Sequence, residues 1–226
     1  MSEFNQHAES YGSDIDHSLG RLQHDVFIAS KIWHLQQLFR RWNISANSKV
    51  LDLGCGVGTF DAGLEALCDL HGCDPSSESI RIASEHNAHT RYAVTDDEKL
   101  PYPDNHFDLI FTINVMHHVP PEQWDRFLRE AHSKLKPGAP LCIFEHNPLN
   151  PLTRRVVDRC AFDQDAVLLT RSEARSLLRQ ANYQIESSGY IVFFPINSPL
   201  FFSLETFLHW LPLGAQYLQC GSKITE

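Results

Sequence analysis

Apolar residues recur at helical spacing near the start of the chain and then in short runs. The helical positions follow steps of four and three residues: Ile28, Ile32, Leu35, Phe39 and Trp42. This spacing predicts one helix from about Arg21 to Arg41 with a single apolar face. Lys49 to Leu53 is a short apolar run that ends in a cluster of glycines, which is typical of a buried strand.

Helical and strand-like segments alternate along much of the remaining chain. Helices are predicted over Thr59 to Leu67, over Ser77 to Ala88, and from Pro120 and Pro121 to a stop at Pro137 and Gly138. Strands are predicted over Asp69 to Cys73, Phe107 to Ile113 and Leu141 to Phe144. This alternation implies a mostly parallel sheet covered on both faces, with ligands bound beyond the carboxyl ends of its strands.

The last part of the chain predicts a helix and two closing strands. Thr170 and Glu173 form a capping box, which marks a helix start. Gln184 to Phe194 and Gly214 to Ser222 are interpreted as closing strands, with a helical segment from Leu200 to Trp210 between them.

The length of 226 residues fits one domain. We divide it into 1–45 for an N-terminal lid and helix, 46–147 for a cofactor-binding core, 148–170 for an insertion, and 171–226 for the C-terminal helix and strands. Asn147 to Leu169 is too long for an ordinary strand-to-helix connection, so we predict that it covers one end of the sheet.

Composition and charge narrow the class of protein. With 42% hydrophobic and 21% charged residues, the chain can fill a core without disulfides or metal. A net charge of -9 offers no general attraction to phosphate backbones, so we predict that the protein does not bind nucleic acid. The six cysteines form no CxxC pair, and Met1 to Gly20 lacks the features of a signal peptide, which together predict a cytoplasmic protein.

A glycine-rich turn directly follows the first predicted strand. Gly54 to Gly58 has the pattern GxGxG, which lets the backbone turn tightly and approach a ligand, and the predicted helix behind it would offer free amide groups. Asp74, 22 positions after Asp52, ends the second strand, where a carboxylate can accept both hydroxyls of a ribose. Thr59 stands where a nicotinamide-dinucleotide fingerprint needs a third glycine, so the spacing favours a ligand without pyrophosphate.

The segment from Val50 to Gly58 resembles motif I of class I S-adenosylmethionine (SAM) dependent methyltransferases, and Asp74 matches their ribose-binding acid. The ordered motifs up to Asn147 resemble the type 11 subgroup, which includes quinone-biosynthesis methyltransferases. The resemblance implies a doubly wound, Rossmann-like α/β fold with seven mostly parallel strands, an antiparallel closing strand and helices on both faces. It also implies SAM as the cofactor.

The resemblance assigns a set of cofactor-binding residues: Asp52, Gly54, Cys55, Gly56, Gly58, Asp74, Pro75, Asp96, Asp97 and Asn114. It implies that Asp52 and the turn hold the methionine part of SAM, and that Asp96 and the Asp97 backbone meet the adenine. Asp97 departs from the family, which often has a small residue there. Asn114 lies where the family presents a backbone carbonyl to the cofactor.

Candidate catalytic residues follow from the chemistry. A base is needed only if the nucleophile begins protonated. His118 and His146 follow the fourth and fifth strands of the implied sheet and are candidates, with packing or loop capping as the alternative. Tyr11 lies in a segment that resembles the family's N-terminal lid, with a surface-loop role as the alternative. The spacing of His117 and His118 to His132 and His146 matches no zinc signature, so no metal is predicted.

The predicted function is methyl transfer to oxygen, nitrogen or carbon of a small molecule. The aromatic stretch from Tyr190 to Trp210 is either core and dimer contact or the wall of a site for a lipid-like, quinone or lipid-linked sugar acceptor, with peripheral membrane contact. The predicted oligomeric state is a monomer or a homodimer. The alternatives are a non-catalytic SAM-binding partner subunit and a nicotinamide-dependent oxidoreductase.

Overall fold

The computed structural model describes residues 21–96, 99–160, 163 and 165–224. The strands are β1 (Lys49–Leu53), β2 (Asp69–Asp74), β3 (Arg91–Val94), β4 (Leu109–Ile113), β5 (Pro140–His146), β6 (Tyr183–Ile191) and β7 (Gln216–Lys223). The α-helices are α1 (Arg21–Arg41), α2 (Ser77–His86), α3 (Trp124–Lys134), α4 (Pro151–Val157), α5 (Arg171–Gln180) and α6 (Pro199–Glu205).

The seven strands form one sheet in the order β3-β2-β1-β4-β5-β7-β6. β1 pairs in parallel with β2 and β4, while β7 runs antiparallel to both β5 and β6. The strand order reverses between β1 and β4, which opens a crevice at the carboxyl ends of these two strands. The predicted doubly wound sheet with one antiparallel closing strand is confirmed.

Apolar clusters cover both faces of the sheet. On one face, Leu35 and Phe39 of α1 pack with Val50 and Phe111 from the sheet, as the helical spacing predicted. On the other face, helices α3 and α5 pack against the sheet through a cluster that includes Leu128 and other fully buried residues. Every residue of β4 is buried, which explains its uninterrupted apolar sequence.

The predicted helix over Thr59 to Leu67 is wrong. The segment forms turns around a single short 3-10 helix, Asp61–Gly63. The side chain of Asp61 accepts a hydrogen bond from the Tyr92 hydroxyl, and a Cβ added at Gly63 would lie 2.8 Å from Ile32 Cδ1. Tertiary contacts and poor helix formers therefore override the apolar spacing. Since no helix begins at Thr59, the free amide groups predicted at the start of that helix are not available to a ligand as a helix N-terminus.

The structure differs from the sequence predictions at two further short elements. β3 lies at the edge of the sheet and carries no apolar run, because Arg91 and Val94 are exposed and the other two residues are only partly buried. The segment from Leu200 to Trp210 is helical only in part, since α6 ends at Glu205 and a 3-10 turn follows. The capping box is confirmed, with Thr170 N–H donating to Glu173 Oε2 at 2.6 Å.

The segment between β5 and α5 returns to the carboxyl end of β4. Asn150 caps α4, because its Oδ1 accepts the Leu152 N–H at 2.9 Å. Further along, the Val167 N–H donates to the backbone oxygen of His117 at 2.9 Å. Within the part of the chain that the structure describes, no helix combines the length and the apolar character needed to cross a bilayer.

Candidate functional site

The turn after β1 depends on its glycines. All three have positive φ: Gly54 at 80°, Gly56 at 53° and Gly58 at 73°. The N–H groups of Gly54 and Cys55 both donate to Cys73 O, at 2.8 and 3.0 Å, which joins the turn to the end of β2. A Cβ at Gly54 would lie 2.5 Å from Val115 Cγ2, so no larger residue fits there.

Gly56 and Asp74 form the open side of the turn. Among the described residues, nothing lies within 4 Å of a Cβ added at Gly56. The Gly56 N–H donates to Asp74 Oδ2 at 3.0 Å, and the Ser76 N–H donates to Asp74 Oδ1 at 2.8 Å. Burial raises the pKa of Asp74, and these two amide hydrogen bonds offset part of that effect. The turn and the acid predicted beside it therefore lie at the same edge of the sheet.

Two buried carboxyl groups lie beneath the turn. Asp52 and Asp61 are 1% and 0% exposed and lie within hydrogen-bonding reach of one another. Burial and the neighbouring carboxylate raise the pKa of Asp52, and burial raises the pKa of Asp61 to about 6. Apart from this mutual contact, the described residues supply no hydrogen-bond partner for Asp52 Oδ2 or Asp61 Oδ1. Both atoms are shielded from solvent, so the pair is a buried group of two close carboxyls rather than an exposed ligand site.

Three of the four remaining predicted cofactor residues lie within the part of the chain that the structure describes. Asp96 Oδ1 accepts the Lys99 N–H at 2.6 Å, and Pro75 is exposed directly after Asp74. Asn114 has a positive φ of 56°, and its N–H donates to Phe144 O at 2.9 Å. Asp97 and Tyr11 lie outside the described residues, so their predicted roles stay predictions.

A cluster of ionisable side chains follows β4 and β5. We call it the histidine cluster, and its members are His117, His118, Glu145, His146 and Asp163. His117 Nδ1 lies 2.6 Å from Glu145 Oε2, and His117 Nε2 lies 3.4 Å from Asp163 Oδ1. His118 Nε2 lies 3.5 Å from the same Asp163 oxygen, and the rings of His117 and His146 have centroids 5.2 Å apart. The two predicted base candidates thus lie in one group.

The three histidines of the histidine cluster differ sharply in pKa. Burial lowers the pKa of His117, but Glu145 and Asp163 outweigh burial and raise that pKa to about 9. Burial and the neighbouring His117 lower the pKa of His118 to about 4 and the pKa of His146 to about 3. His118 and His146 are therefore neutral near pH 7, so neither pKa is matched to taking a proton there.

Lys31 brings a buried cation to the same region. It is 3% exposed and lies on α1 with its ammonium group 5.3 Å from the centre of the Phe60 ring. Burial lowers the pKa of Lys31 to about 7, although the charge of Glu145 acts in the opposite direction. Lys31 was not among the predicted site residues, but the sequence carries a signal for it, because this lysine interrupts the apolar face between Ile28 and Leu35.

Several other residues of the site were also not predicted. Glu145 follows the apolar run of β5 and could have been noticed as a buried charge, whereas Asp163 comes from a segment without a recognisable pattern. Gln216, at the start of β7, donates from Nε2 toward Asn114 Oδ1 at 3.3 Å. His132 does not join the cluster, because its ring packs edge-on against Tyr183.

An exposed apolar surface lies at the same end of the sheet. We call it the apolar rim, and its members are between 56% and 76% exposed: Leu149, Leu152, Leu200, Phe207, Trp210 and Leu213. Asn150 Nδ2 donates to Leu213 O at 2.7 Å, which joins the two segments of the rim. Other aromatic residues of the predicted stretch are core residues, since Tyr190 is 5% and Phe202 is 2% exposed.

Comparison with known proteins identifies the family. Residues 50–138 match the family model described as "Methyltransferase domain". The chain is 32% identical over 164 residues to methyltransferase GfsG of Streptomyces halstedii, covering 68% of this chain and 56% of that protein. Phosphoethanolamine N-methyltransferase 1 of Arabidopsis thaliana is 29% identical over 49% of this chain and 23% of its own length. Probable tRNA methyltransferase 9B of Bos taurus is 30% identical over 58% of this chain and 31% of its own length.

The aligned part of the chain thus covers 56% of the length of the first of these relatives and less than a third of the other two. Among solved structures, it is similar to a complex between the Haloferax volcanii Trm112 methyltransferase activator and a methyltransferase. That likeness has a TM-score of 0.71 and 18% identity over 100% of this chain and 99% of the other, and it shows the fold alone. The match over residues 50–138 and these relatives support a SAM-dependent methyltransferase domain in this chain, and both the glycine turn and the acid on β2 lie within the matched residues.

Proposed function

We propose that this protein transfers the methyl group of SAM to a small-molecule acceptor bound beside the carboxyl ends of β4 and β5. The observation that carries the proposal is the open turn at Gly56, hydrogen-bonded to the carboxylate of Asp74. The turn is hydrogen-bonded to its predicted ribose-binding acid, and no described residue comes within 4 Å of a Cβ at the central glycine, which fits a nucleoside ligand.

The residues around the turn fit the parts of SAM. Asp52 and the Gly54–Gly58 turn would hold the methionine part, as the resemblance of Val50 to Gly58 to motif I implies. Asp74 would accept the ribose hydroxyls, Asp96 would meet the adenine amino group, and Asn114 would contribute its backbone carbonyl. When bound, SAM supplies a methyl group that its sulfonium already makes electrophilic, so the protein has mainly to bind and orient.

On the acceptor side, positioning has more support than base catalysis. His118 and His146 stay our predicted bases, but burial holds both pKa values well below neutrality. Because neither histidine is a strong base near pH 7, the proposed methyl transfer depends on positioning of the acceptor and does not require a strong base. Lys31 and the histidine cluster would instead supply polar groups beside the carboxyl ends of β4 and β5, suited to a polar or anionic group of the acceptor.

A lipid-like acceptor is favoured by the apolar rim. The rim follows β5 and precedes β7, and His146 of β5 pairs with Gln216 of β7, so the rim borders the carboxyl edge. Exposed apolar groups at this edge would contact a membrane surface or the chain of a lipid, quinone or lipid-linked sugar. The exposed Arg154, Arg155 and Arg159 suit an anionic head group.

A second candidate is methylation of tRNA, either alone or with an activator subunit of the Trm112 kind. The similarity to tRNA methyltransferase 9B favours it. The net charge of -9 argues against it, because binding to RNA requires a positive surface along the phosphate backbone. A non-catalytic SAM-binding subunit and a nicotinamide-dependent oxidoreductase are the remaining alternatives.

Calorimetric titration tests the cofactor site. The purified chain should bind SAM and S-adenosylhomocysteine, and Asp74→Asn should weaken that binding about tenfold or more, because one ribose acceptor becomes a donor. Asp125→Asn is the matched control, since Asp125 is 52% exposed in a surface ion pair with Arg129 and should leave the affinity unchanged. Equal affinities for wild type and Asp74→Asn would contradict the assignment, as would preferential binding of a nicotinamide dinucleotide.

The acceptor class is tested with methyl-labelled SAM. Incubation of the protein with a cell extract, followed by separation into chloroform-soluble, water-soluble and RNA fractions, should place the label in the chloroform-soluble fraction. Label in RNA would favour the second candidate and overturn the small-molecule proposal. Cofactor binding without label in any fraction would favour the non-catalytic subunit.

A further inference from the structure

We propose that His117, His118 and Asp163 form a binding site for one divalent transition-metal ion of the zinc type. Each residue offers one ligand atom: the two Nε2 atoms and Oδ1 of Asp163. One possible ligand atom from each of the three residues lies within 4.8 Å of the other two. Imidazole nitrogens combined with one carboxylate oxygen are typical ligands of Zn²⁺ and of related first-row metals.

The distances suit a shared cation better than direct hydrogen bonds. Asp163 Oδ1 lies 3.4 Å from His117 Nε2 and 3.5 Å from His118 Nε2, beyond the usual 2.7–3.2 Å of a nitrogen-to-oxygen hydrogen bond. Tetrahedral bonds of about 2.0–2.1 Å place neighbouring ligand atoms roughly 3.3–3.5 Å apart. The third separation, between the two imidazole nitrogens, needs a shift of at most about 1.5 Å to reach that geometry.

Glu145 prepares His117 for this role. Its Oε2 lies 2.6 Å from His117 Nδ1, and its Oε1 accepts the Met116 N–H at 2.7 Å. The carboxylate thus orients the ring so that Nε2 points to the other two ligands. A metal-bound histidine usually has such a carboxylate partner on its second nitrogen.

The site is open on one side. The side chains of His117 and Glu145 are each 1% exposed, whereas those of His118 and Asp163 are 22% and 11% exposed. Three protein ligands leave a coordination position for water or for an oxygen of a bound molecule. An acceptor hydroxyl in that position would lose its proton more readily. This role rests on the proposed function, whereas binding of the ion does not.

The test uses the full chain after removal of metal by a chelator. Titration with Zn²⁺ should show one tight equivalent, and Co²⁺ should give the visible absorption of a four-coordinate site. His118→Ala and Asp163→Asn should each weaken binding about tenfold or more, and Glu145→Gln by roughly 10- to 100-fold. His89→Ala is the control, because His89 is exposed and lies outside the cluster.

Circular dichroism and binding of S-adenosylhomocysteine would verify that each variant is folded. His118 and Asp163 are partly accessible, so their variants should retain the fold. The proposal is overturned if no stoichiometric binding occurs, which would leave His117 as an imidazolium between two carboxylates. It is also overturned if binding persists in both His118→Ala and Asp163→Asn, since the ion would then occupy other histidines or cysteines.

Discussion

The most distinctive feature of this site is a set of buried ionisable side chains with displaced pKa values. Asp61, Lys31 and His117 are each less than 4% exposed, and each has a pKa displaced from its ordinary value. The direction depends on the neighbours: burial dominates at Asp61 and Lys31, whereas two carboxylates dominate at His117. Charged groups held without water are costly, so their retention indicates a role in ligand binding.

The acid pair should make stability depend on pH. Burial raises the pKa of Asp61 to about 6 from 3.8, so the folded protein holds this proton more tightly than the unfolded chain. The free energy of unfolding should therefore fall as pH rises from about 4 to about 6. Asp61→Asn removes this dependence and can still accept from Tyr92, so we expect it to be more stable than wild type at pH 8 by on the order of 1–3 kcal/mol.

Urea unfolding without cofactor, repeated from pH 4 to pH 8, measures the effect. The difference between Asp61→Asn and wild type should vanish near pH 4. Tyr92, Glu65 and Asp74 also face the pair, so the comparison is made against Asp125→Asn, whose curve should run parallel to that of wild type. A constant difference across the pH range would show that Asp61 is not the group responsible.

At the scale of elements, two predicted helix starts had opposite outcomes. The helix at Thr170 forms because its capping box is a local contact, complete within four residues. The helix predicted from Thr59 does not form, because the Asp61 side chain contacts Tyr92 from another part of the chain. A hydrogen bond between residues close in the sequence can be inferred from the sequence itself. A competing hydrogen bond to a residue far away in the chain cannot.

Removal of the cap should destabilise the protein without affecting the site. We expect Thr170→Ala to lower the free energy of unfolding by about 1 kcal/mol, because the Glu173 N–H loses its acceptor at 3.2 Å. Ser172→Ala, at an exposed position in the same turn, is the control and should change stability by only a few tenths of that amount. Urea unfolding measures both, and equal losses would mean that the cap contributes nothing specific.

At the scale of the whole molecule, the cofactor turn, the histidine cluster and the apolar rim all lie at one edge of the sheet. Parallel strands impose this arrangement, since their carboxyl ends point the same way. The opposite edge holds the segments that precede the strands, such as Leu67 before β2. Under the proposed function, the rim would bring a membrane or a lipid-like acceptor to the side where methyl transfer would occur.

Vesicle sedimentation tests this orientation. The protein should bind vesicles that contain anionic lipid more than zwitterionic ones, and the double change Phe207→Ser and Trp210→Ser should reduce the bound fraction several-fold. The control is Leu67→Ser, an exposed leucine away from the rim, which should bind as wild type does. Affinity for S-adenosylhomocysteine should stay the same in all three. Unchanged vesicle binding by the double variant would exclude the rim as the contact.

The sequence by itself determined the sheet-forming pattern, the glycine turn and its partner Asp74. These are properties of short segments: a positive φ at Gly54, Gly56 and Gly58, a strand that ends before the turn, and a second strand that ends in an acid. Parallel pairing then brings both strand ends to one edge without further information. This explains why the position of the turn beside Asp74 could be predicted from the sequence, whereas the ligand contacts assigned to these residues stay predictions.

Tertiary structure alone decided the rest. Asp163 meets His117 only because the segment after α4 returns to β4, and Lys31 faces Glu145 only because α1 packs on that face of the sheet. The charge states of the buried groups depend on burial and on contacts between residues far apart in the chain. The same holds for the pairing of the edge strand β3 and for the distances between the proposed metal ligands. Such contacts follow from the packing of the whole molecule, so no pattern of neighbouring residues could reveal them.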